Sequence, residues 1–399
     1  MTTMAAIKTL DDVDVSGKRV LVRADLNVPI HEKRVTDATR LERLMVTLNE
    51  LSNKGARSVV VSHLGRPKGS PDPTLSLFPV ARALEAILGR PVAFAADCIG
   101  APADTVVNAL ASGDIAVLEN VRFHRGEEVN DPQFAQALAG LADLYVNDAF
   151  SVAHRTHAST VYITRLLPAY AGREMQMDLD ALENALEQPE KPLAAIVGGS
   201  KVSTKLPVIS NLLDKVNVLI IGGGMANTFL SAKGVSIGRS LCEDDLLAIA
   251  KSVLVKAHEV GCEIVLPVDV VVASQLRTDI DSEVVGIMSV HEDQMILDVG
   301  PRTTALIEEK IIPCATLVWN GPVGAFETKP FDRGTIRVAH SVAKLTEKNG
   351  LISVAGGGDT VAALNAAGVS ERLSYVSLAG GAFLEWLEGK SLPALVALR

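Results

Sequence analysis

Apolar, β-branched runs recur along the chain, each followed by Gly, Pro or polar residues and then by a stretch of helical periodicity. In the first half the runs are Arg19–Arg23 (RVLVR), Ser58–Ser62 (SVVVS), Ile115–Leu118 (IAVL) and Leu144–Val146 (LYV). In the second half they are Leu193–Val197, Val218–Ile221, Glu263–Leu266, Thr316–Trp319, Leu351–Val354 and Tyr375–Leu378. Continuous rather than alternating apolar runs predict strands covered on both faces. Their interleaving with helical segments predicts parallel sheets and an α/β class. These ten runs are too many for one compact sheet of this kind, so two sheets are expected.

The boundary between the sheets is legible in the pattern. Residues 173–187 place Met175, Leu179, Leu182 and Leu186 on one stripe of an amphipathic helix. The segment Gln188-Pro189-Glu190-Lys191-Pro192 then stops it. The segment 173–187 reads as a helix connecting a domain over 1–172 to a domain over 173–388. The final residues, with Gly389 and Pro393, read as a tail that docks on the protein and not as a domain. Two domains also suit a chain of 399 residues.

Composition narrows the function. Hydrophobic residues make up 48% and charged residues 21%, enough apolar material for large cores, which excludes intrinsic disorder. Aromatics at 4% and a formal charge of −9 argue against a nucleic-acid binder. The longest uncharged apolar stretch, from Val216 to Ala232, is interrupted by Asn217, Asn227 and Gly222–Gly224, so no membrane span is expected. The first residues show no secretory pattern. Cys98, Cys242, Cys262 and Cys314 are scattered, with no Cys-x-x-Cys and no zinc spacing, and are expected to be free thiols of a cytoplasmic protein.

Charge is unevenly spread: −1 over residues 1–172 and −8 over 173–399. The cations of the first half are mostly arginine, which suits bidentate recognition of carboxylate and phosphate. Ligands of open parallel sheets sit beyond the carboxyl ends of the strands. There this half carries Asp25, Asn27 and Arg40, then His63 and Arg66, then Arg122, His124 and Arg125, and finally His154, Arg155 and His157. Any one of these could be an ordinary loop residue. Four consecutive strand ends of this character indicate a basic pocket for a small, multiply charged anion, with Asp25 and Asn27 accepting from hydroxyls. His154-x-x-His157 lacks a third ligand at helical spacing and is not read as a metal site.

In the second half the strand ends carry glycine: Gly198-Gly199, Gly222–Gly224, Gly321 with Gly324, Gly356–Gly358 and Gly380-Gly381. Glycine permits close approach of backbone to phosphate, and a following helix offers free N–H groups; tight turns are the alternative for any single pair. The P-loop, dinucleotide and protein-kinase signatures are all absent. Lys201 and Lys205 stand near the start of a helix over Val208–Leu213, against its dipole. Either they reach into solvent or a phosphate binds there. Asp359 reads either as a helix N-cap or as a carboxylate holding Mg²⁺ on phosphate oxygens. No nucleophile–base pair of the acyl-transfer kind is present, which leaves phosphoryl transfer, a reaction of positioning and charge neutralisation.

The segments RADLNVP (23–29), SHLGRP (62–67), LENVRFHRGEE (118–128), NDAFSVAHRTHAST (147–160), GGSKVSTK (198–205), GGGMANTFL (222–230), WNGPVGAFE (319–327) and GGGDT (356–360) together make the chain resemble the phosphoglycerate kinase family from end to end. Leu26 and Ser200 depart from residues common in that family without changing a charge.

The resemblance implies two Rossmann-like domains joined by an interdomain helix, with the tail 389–399 returning to the first. It implies a monomeric, hinge-bending glycolytic enzyme, a phosphotransferase with a carboxyl acceptor, moving a phosphoryl group reversibly between 1,3-bisphosphoglycerate and Mg-ADP. By the resemblance, Asp25, Leu26, Asn27, Arg40, His63, Leu64, Gly65, Arg66, Arg122 and Arg155 bind the glycerate. Lys205, Glu327, Gly356, Gly357, Gly358 and Asp359 bind ATP or ADP, Asp359 carrying Mg²⁺. Arg40, Lys201 and Lys205 act on the transferring group.

Overall fold

The structure is a computed structural model that describes residues 7–399. The chain divides into two compact units: residues up to Leu179 together with Ser391–Arg399, and Asp180–Lys390.

The first unit is built on β1 (Arg19–Ala24), β2 (Arg57–Val61), β3 (Val92–Ala95), β4 (Ile115–Leu118), β5 (Leu144–Asp148) and β6 (Ala169–Ala171). They form one sheet in the order β3-β4-β2-β1-β5-β6, every neighbour parallel. Val20, Leu21 and Val22 of β1 are all completely buried, so both faces are covered, as a continuous apolar run requires. Each such side chain contributes about 1.5–3 kcal/mol of hydrophobic stabilisation. The chain leaves β1 on one side and returns on the other at β5, which makes the carboxyl ends of β1 and β5 the crevice where ligands bind in such sheets.

The second unit contains β7 (Leu193–Val197), β8 (Val218–Ile221), β9 (Glu263–Val265), β10 (Asp269–Ala273), β11 (Glu283–Gly286), β12 (Met295–Val299), β13 (Thr316–Asn320), β14 (Ile352–Gly356) and β15 (Tyr375–Ser377). Its main sheet runs β9-β8-β7-β13-β14-β15, again all parallel, with the reversal between β7 and β13. This is the doubly wound Rossmann order. The expected α/β class with two parallel, helix-flanked sheets is what the chain adopts.

All ten runs singled out in the sequence lie in these two sheets. The edge strands β3 and β6 escape the pattern because they are short and only partly buried. So does a small antiparallel sheet, β11-β10-β12. Only residues 266–268 separate β9 from β10, so this strand of the small sheet begins just beyond the run Glu263–Leu266.

The predicted connecting segment is α-helical over Arg173–Leu182 and continues as a π-helical turn over Glu183–Glu187; the change of unit falls inside it. Met175, Leu182 and Leu186 are buried, as the stripe requires. Its first turn is capped within the first unit. Thr47 Oγ1 accepts from Arg173 N at 2.9 Å and Asp148 Oδ1 from Met175 N at 3.1 Å. The Arg173 guanidinium pairs with Glu50 and Asp11 and holds both carboxyls down at about 2. The last helix, Pro393–Ala397, donates Ala394 N to Ala153 O at 3.0 Å and buries Leu392, Leu395 and Leu398. Among the described residues no helix is long and apolar enough to cross a membrane.

Candidate functional site

The first unit gathers its cations at the carboxyl ends of β1, β2, β4 and β5. Arg23, in the last turn of residues of β1, is completely buried, its Nε donating to Ser159 Oγ at 2.9 Å and its Nη2 lying 3.2 Å from His63 Nδ1. Glu127 supplies the buried counter-charge. Burial would raise its pKa, but His157, Arg23 and Ser159 more than offset that, so the carboxyl stays below its ordinary range. Ser159 grips it through Oγ (2.6 Å) and N (3.0 Å).

The loops are tied to one another. Gly65 N donates to Asn27 Oδ1 at 2.9 Å, Arg122 Nη1 to Gly65 O at 2.7 Å, and Asn120 Nδ2 to Leu64 O at 2.8 Å. Arg40, in the first turn of the helix Thr39–Asn53, is ion-paired with Asp25, which also accepts from Ser151 Oγ. Leu26 and Leu64 turn their side chains into the apolar core, so they shape the loops from beneath. Arg66 and Asn27 are exposed.

The arginines repel one another. Burial, then Arg155 and Arg23, bring the Arg122 guanidinium down to about 10. Burial and Arg66 lower Arg155; burial and Arg43 lower Arg40, against Asp178 and Glu174. His63 is pushed well below its ordinary value by burial and then by Arg23, Arg122, Arg155 and Arg40. Arg122 is 2% exposed, yet its Nη2 makes no hydrogen bond, and neither does the buried Nε of Arg155. A buried charged donor left unmatched is costly, and a polyanion would satisfy both donors and relieve the repulsion.

The second unit brings its glycines together where β7 and β13 part. A Cβ on Gly198 would lie 1.9 Å from Pro322 O, and one on Gly321 would lie 2.2 Å from Gly198 O. Those glycines let two strand-end loops touch, which is the packing explanation. Gly358 differs. It is exposed, opens the helix Gly358–Ala366, and a Cβ there would meet nothing within 4 Å. That leaves free N–H groups and open space at a helix N-terminus.

Lys205 is the N-cap residue of the helix Leu206–Leu213 and is half-buried, whereas Lys201 is exposed in the preceding turn. Lys205 Nζ donates to Asn320 Oδ1, and Asn320 Nδ2 donates to Gly356 O at 2.8 Å. Burial lowers the Lys205 pKa, opposed by the charges of Asp359 and Glu388. The N-cap of the helix Gly358–Ala366 is Gly357; Asp359 stands exposed in the first turn, with no capping bond from its side chain. A single exposed carboxylate beside phosphate-accessible backbone fits Mg²⁺, which usually takes one or two carboxylates plus substrate phosphates. Glu327 is exposed on the loop after β13 and, among the described residues, makes no hydrogen bond to the Lys205–Asn320–Gly356 chain.

Four residues of these clusters carried no functional expectation: Arg23, Asn120, Glu127 and Asn320. A signal exists for Arg23, a guanidinium inside an otherwise apolar strand, and for Asn320, a polar residue closing the buried β13. Glu127 sits in a run of charges that reads as surface.

A model of the family described as phosphoglycerate kinase matches residues 10–390. Among curated proteins, the chain is 58% identical to the phosphoglycerate kinase of Xanthobacter flavus over 99% of this chain and 100% of that protein. It is 57% identical to that of Chelativorans sp. (strain BNC1), with the same coverage. Among solved structures, the phosphoglycerate kinase of Coxiella burnetii superimposes with a TM-score of 0.90 at 43% identity, covering 98% of this chain and 99% of that one. That of Pyrococcus horikoshii OT3 gives 0.84 at 29% identity, covering 98% of each. An arginine-lined rim on one doubly wound sheet, a glycine-edged rim on the other and likeness over the full length of both place this chain in the phosphoglycerate kinase family.

Proposed function

We propose that this protein transfers a phosphoryl group reversibly between the acyl phosphate of 1,3-bisphosphoglycerate and ADP, giving 3-phosphoglycerate and ATP. The observation that carries this is the cluster of Arg23, Arg40, Arg122 and Arg155 around His63, with buried donors that have no acceptor. The first unit would bind the glycerate through Asp25, Asn27, Arg40, His63, Gly65, Arg66, Arg122 and Arg155, on loops backed by Leu26 and Leu64. The second would bind the nucleotide through Lys205, Gly356, Gly357, Gly358 and Asp359, with Glu327 on a neighbouring loop.

In the forward direction the bond from phosphorus to the acyl oxygen breaks and a bond to a β-phosphate oxygen of ADP forms. No proton moves, so no general base is needed. Charge develops on the three equatorial oxygens, and Arg40, Lys201 and Lys205 would meet it; preorganised donors of this kind act strongly where water is excluded. Asp359 would hold Mg²⁺, whose charge offsets that of the nucleotide phosphates. In-line transfer needs both reactants together, so substrate binding would bring the two units to closure and keep water from the acyl phosphate. Action as a cytoplasmic monomer belongs to the same proposal, and sedimentation at working concentration checks the monomer.

The direct test is ATP formation from ADP and 1,3-bisphosphoglycerate, followed by luminescence with and without Mg²⁺. Mg²⁺-dependent ATP production is expected. A folded protein that binds both ligands and produces none would refute the activity.

A further inference from the structure

Beyond the reaction site, one mixed set of ligand-bearing side chains is left without a role. Asp97 and Cys98 follow β3, and His124 follows the 3₁₀ turn Val121–Phe123 after β4. Since β3 and β4 are parallel neighbours, their carboxyl ends bring these loops side by side, although 25 intervening residues hide the grouping in the sequence. The ligand atoms of all three side chains lie within 4.8 Å of one another, and among the described residues no other group of three or more His, Cys, Asp or Glu does so.

We propose that Asp97, Cys98 and His124 form a binding site for one zinc ion, or a divalent cation of similar softness. The donor set is one sulfur, one imidazole nitrogen and one carboxylate oxygen, which suits zinc with an open fourth position and does not suit Mg²⁺ or Ca²⁺. A thiolate and a carboxylate carry together the charge that neutralises the ion, so the filled site is neutral where Cys98 is fully buried. The rest is preorganised. The His124 ring stacks on Phe134 at 5.3 Å with 27° between planes, and its Nε2 lies 2.7 Å from Asp97 Oδ1. The side chains of Asp97 and His124 remain 40% and 30% exposed, leaving an entrance for the ion.

On binding, the S–H proton leaves to solvent and a zinc–sulfur bond replaces it. The Nε2 lone pair of His124 turns to the ion, its ring proton resting on Nδ1, and the Asp97–His124 hydrogen bond gives way to two bonds to metal.

The test uses the full chain, freed of metal and titrated with Zn²⁺ by calorimetry against a competing chelator, and with Co²⁺ by absorbance. One ion per chain is expected, with a sulfur-to-cobalt charge-transfer band in the near ultraviolet. Cys98→Ser should abolish the band and weaken Zn²⁺ binding at least about 100-fold, since loss of even an outer partner of a metal ligand costs about 10–100-fold. His124→Ala should weaken binding comparably while keeping the band, and it serves alone should the serine variant not fold. Absence of stoichiometric zinc, or an affinity unchanged in the folded variants, would overturn the proposal.

Discussion

Nη2 of Arg23 lies 3.2 Å from Nδ1 of His63, and both residues are buried. A guanidinium is always a donor, so Nδ1 must accept and the imidazole proton must reside on Nε2. The surrounding arginines and burial keep His63 neutral well below its ordinary value. Nitrogen-15 NMR should therefore show the Nε2–H tautomer, unchanged from pH 5.5 to 9. The sign for stability follows. In the unfolded chain a histidine takes up its proton near pH 6.5, which the folded state refuses, so His63 costs stability as pH falls below that point and nothing above it. A His63 resonance titrating near pH 6.5 in the folded protein would contradict this arrangement.

Arg40→Ala should reduce kcat by about 10²–10³, the usual loss for one preorganised donor to a developing charge, with a much smaller rise in KM for the glycerate substrate. Arg122→Ala should act mainly on that KM, because its guanidinium carries a buried donor unmatched in the free protein, which the proposed glycerate substrate would satisfy. Steady-state kinetics on both variants separates the roles; equal effects on kcat and KM in the two would merge them.

Two glycines of the second unit make opposite predictions. Gly198→Ala forces a Cβ to 1.9 Å from Pro322 O and should sharply lower the melting temperature. Gly358→Ala meets no atom within 4 Å and should leave melting nearly unchanged, while weakening ADP binding by blocking backbone approach to phosphate. Calorimetric ADP affinity equal to that of the unsubstituted protein would remove Gly358 from the nucleotide site.

Asp298 is buried beneath the start of the helix Arg333–Asn349, accepting from Gly334 N at 2.7 Å and Val299 N at 2.8 Å. A Cβ on Gly324 or Gly334 would collide with its Oδ1, so both ends of the loop carrying Glu327 close over this carboxyl. Burial outweighs the two N–H donors and raises its pKa to about 7. Between pH 4 and 7 the folded state thus holds a proton that the unfolded state has lost, and stability drains away as pH rises through this window. Urea unfolding of wild type and Asp298→Asn should show the wild-type advantage falling by a few kcal/mol from pH 4.5 to 8. An advantage that grows over the same range would reverse the assignment.

Much of this protein is decided by local pattern. Continuous apolar runs specify strands covered on both faces, and the inner strands β7, β8 and β13 of the second parallel sheet stand out for that reason, every residue of them being buried. The helical stripe Met175–Leu182–Leu186 is likewise local, since period and burial are the same fact. The candidate residues Asp25, Asn27, His63, Arg122 and Arg155 could be named because parallel strands send the residues that follow them to one rim. Partnership, however, belongs to the tertiary structure. Whether Asp359 caps its helix, which glycines are packing and which are open, and that Arg23 is neutralised by Glu127 through Ser159 all depend on side chains far apart in the chain. So does the meeting of Cys98 with His124. Periodicity is set by the backbone and repeats every few residues, whereas hydrogen bonds and buried charges are settled only when strands distant in sequence become neighbours.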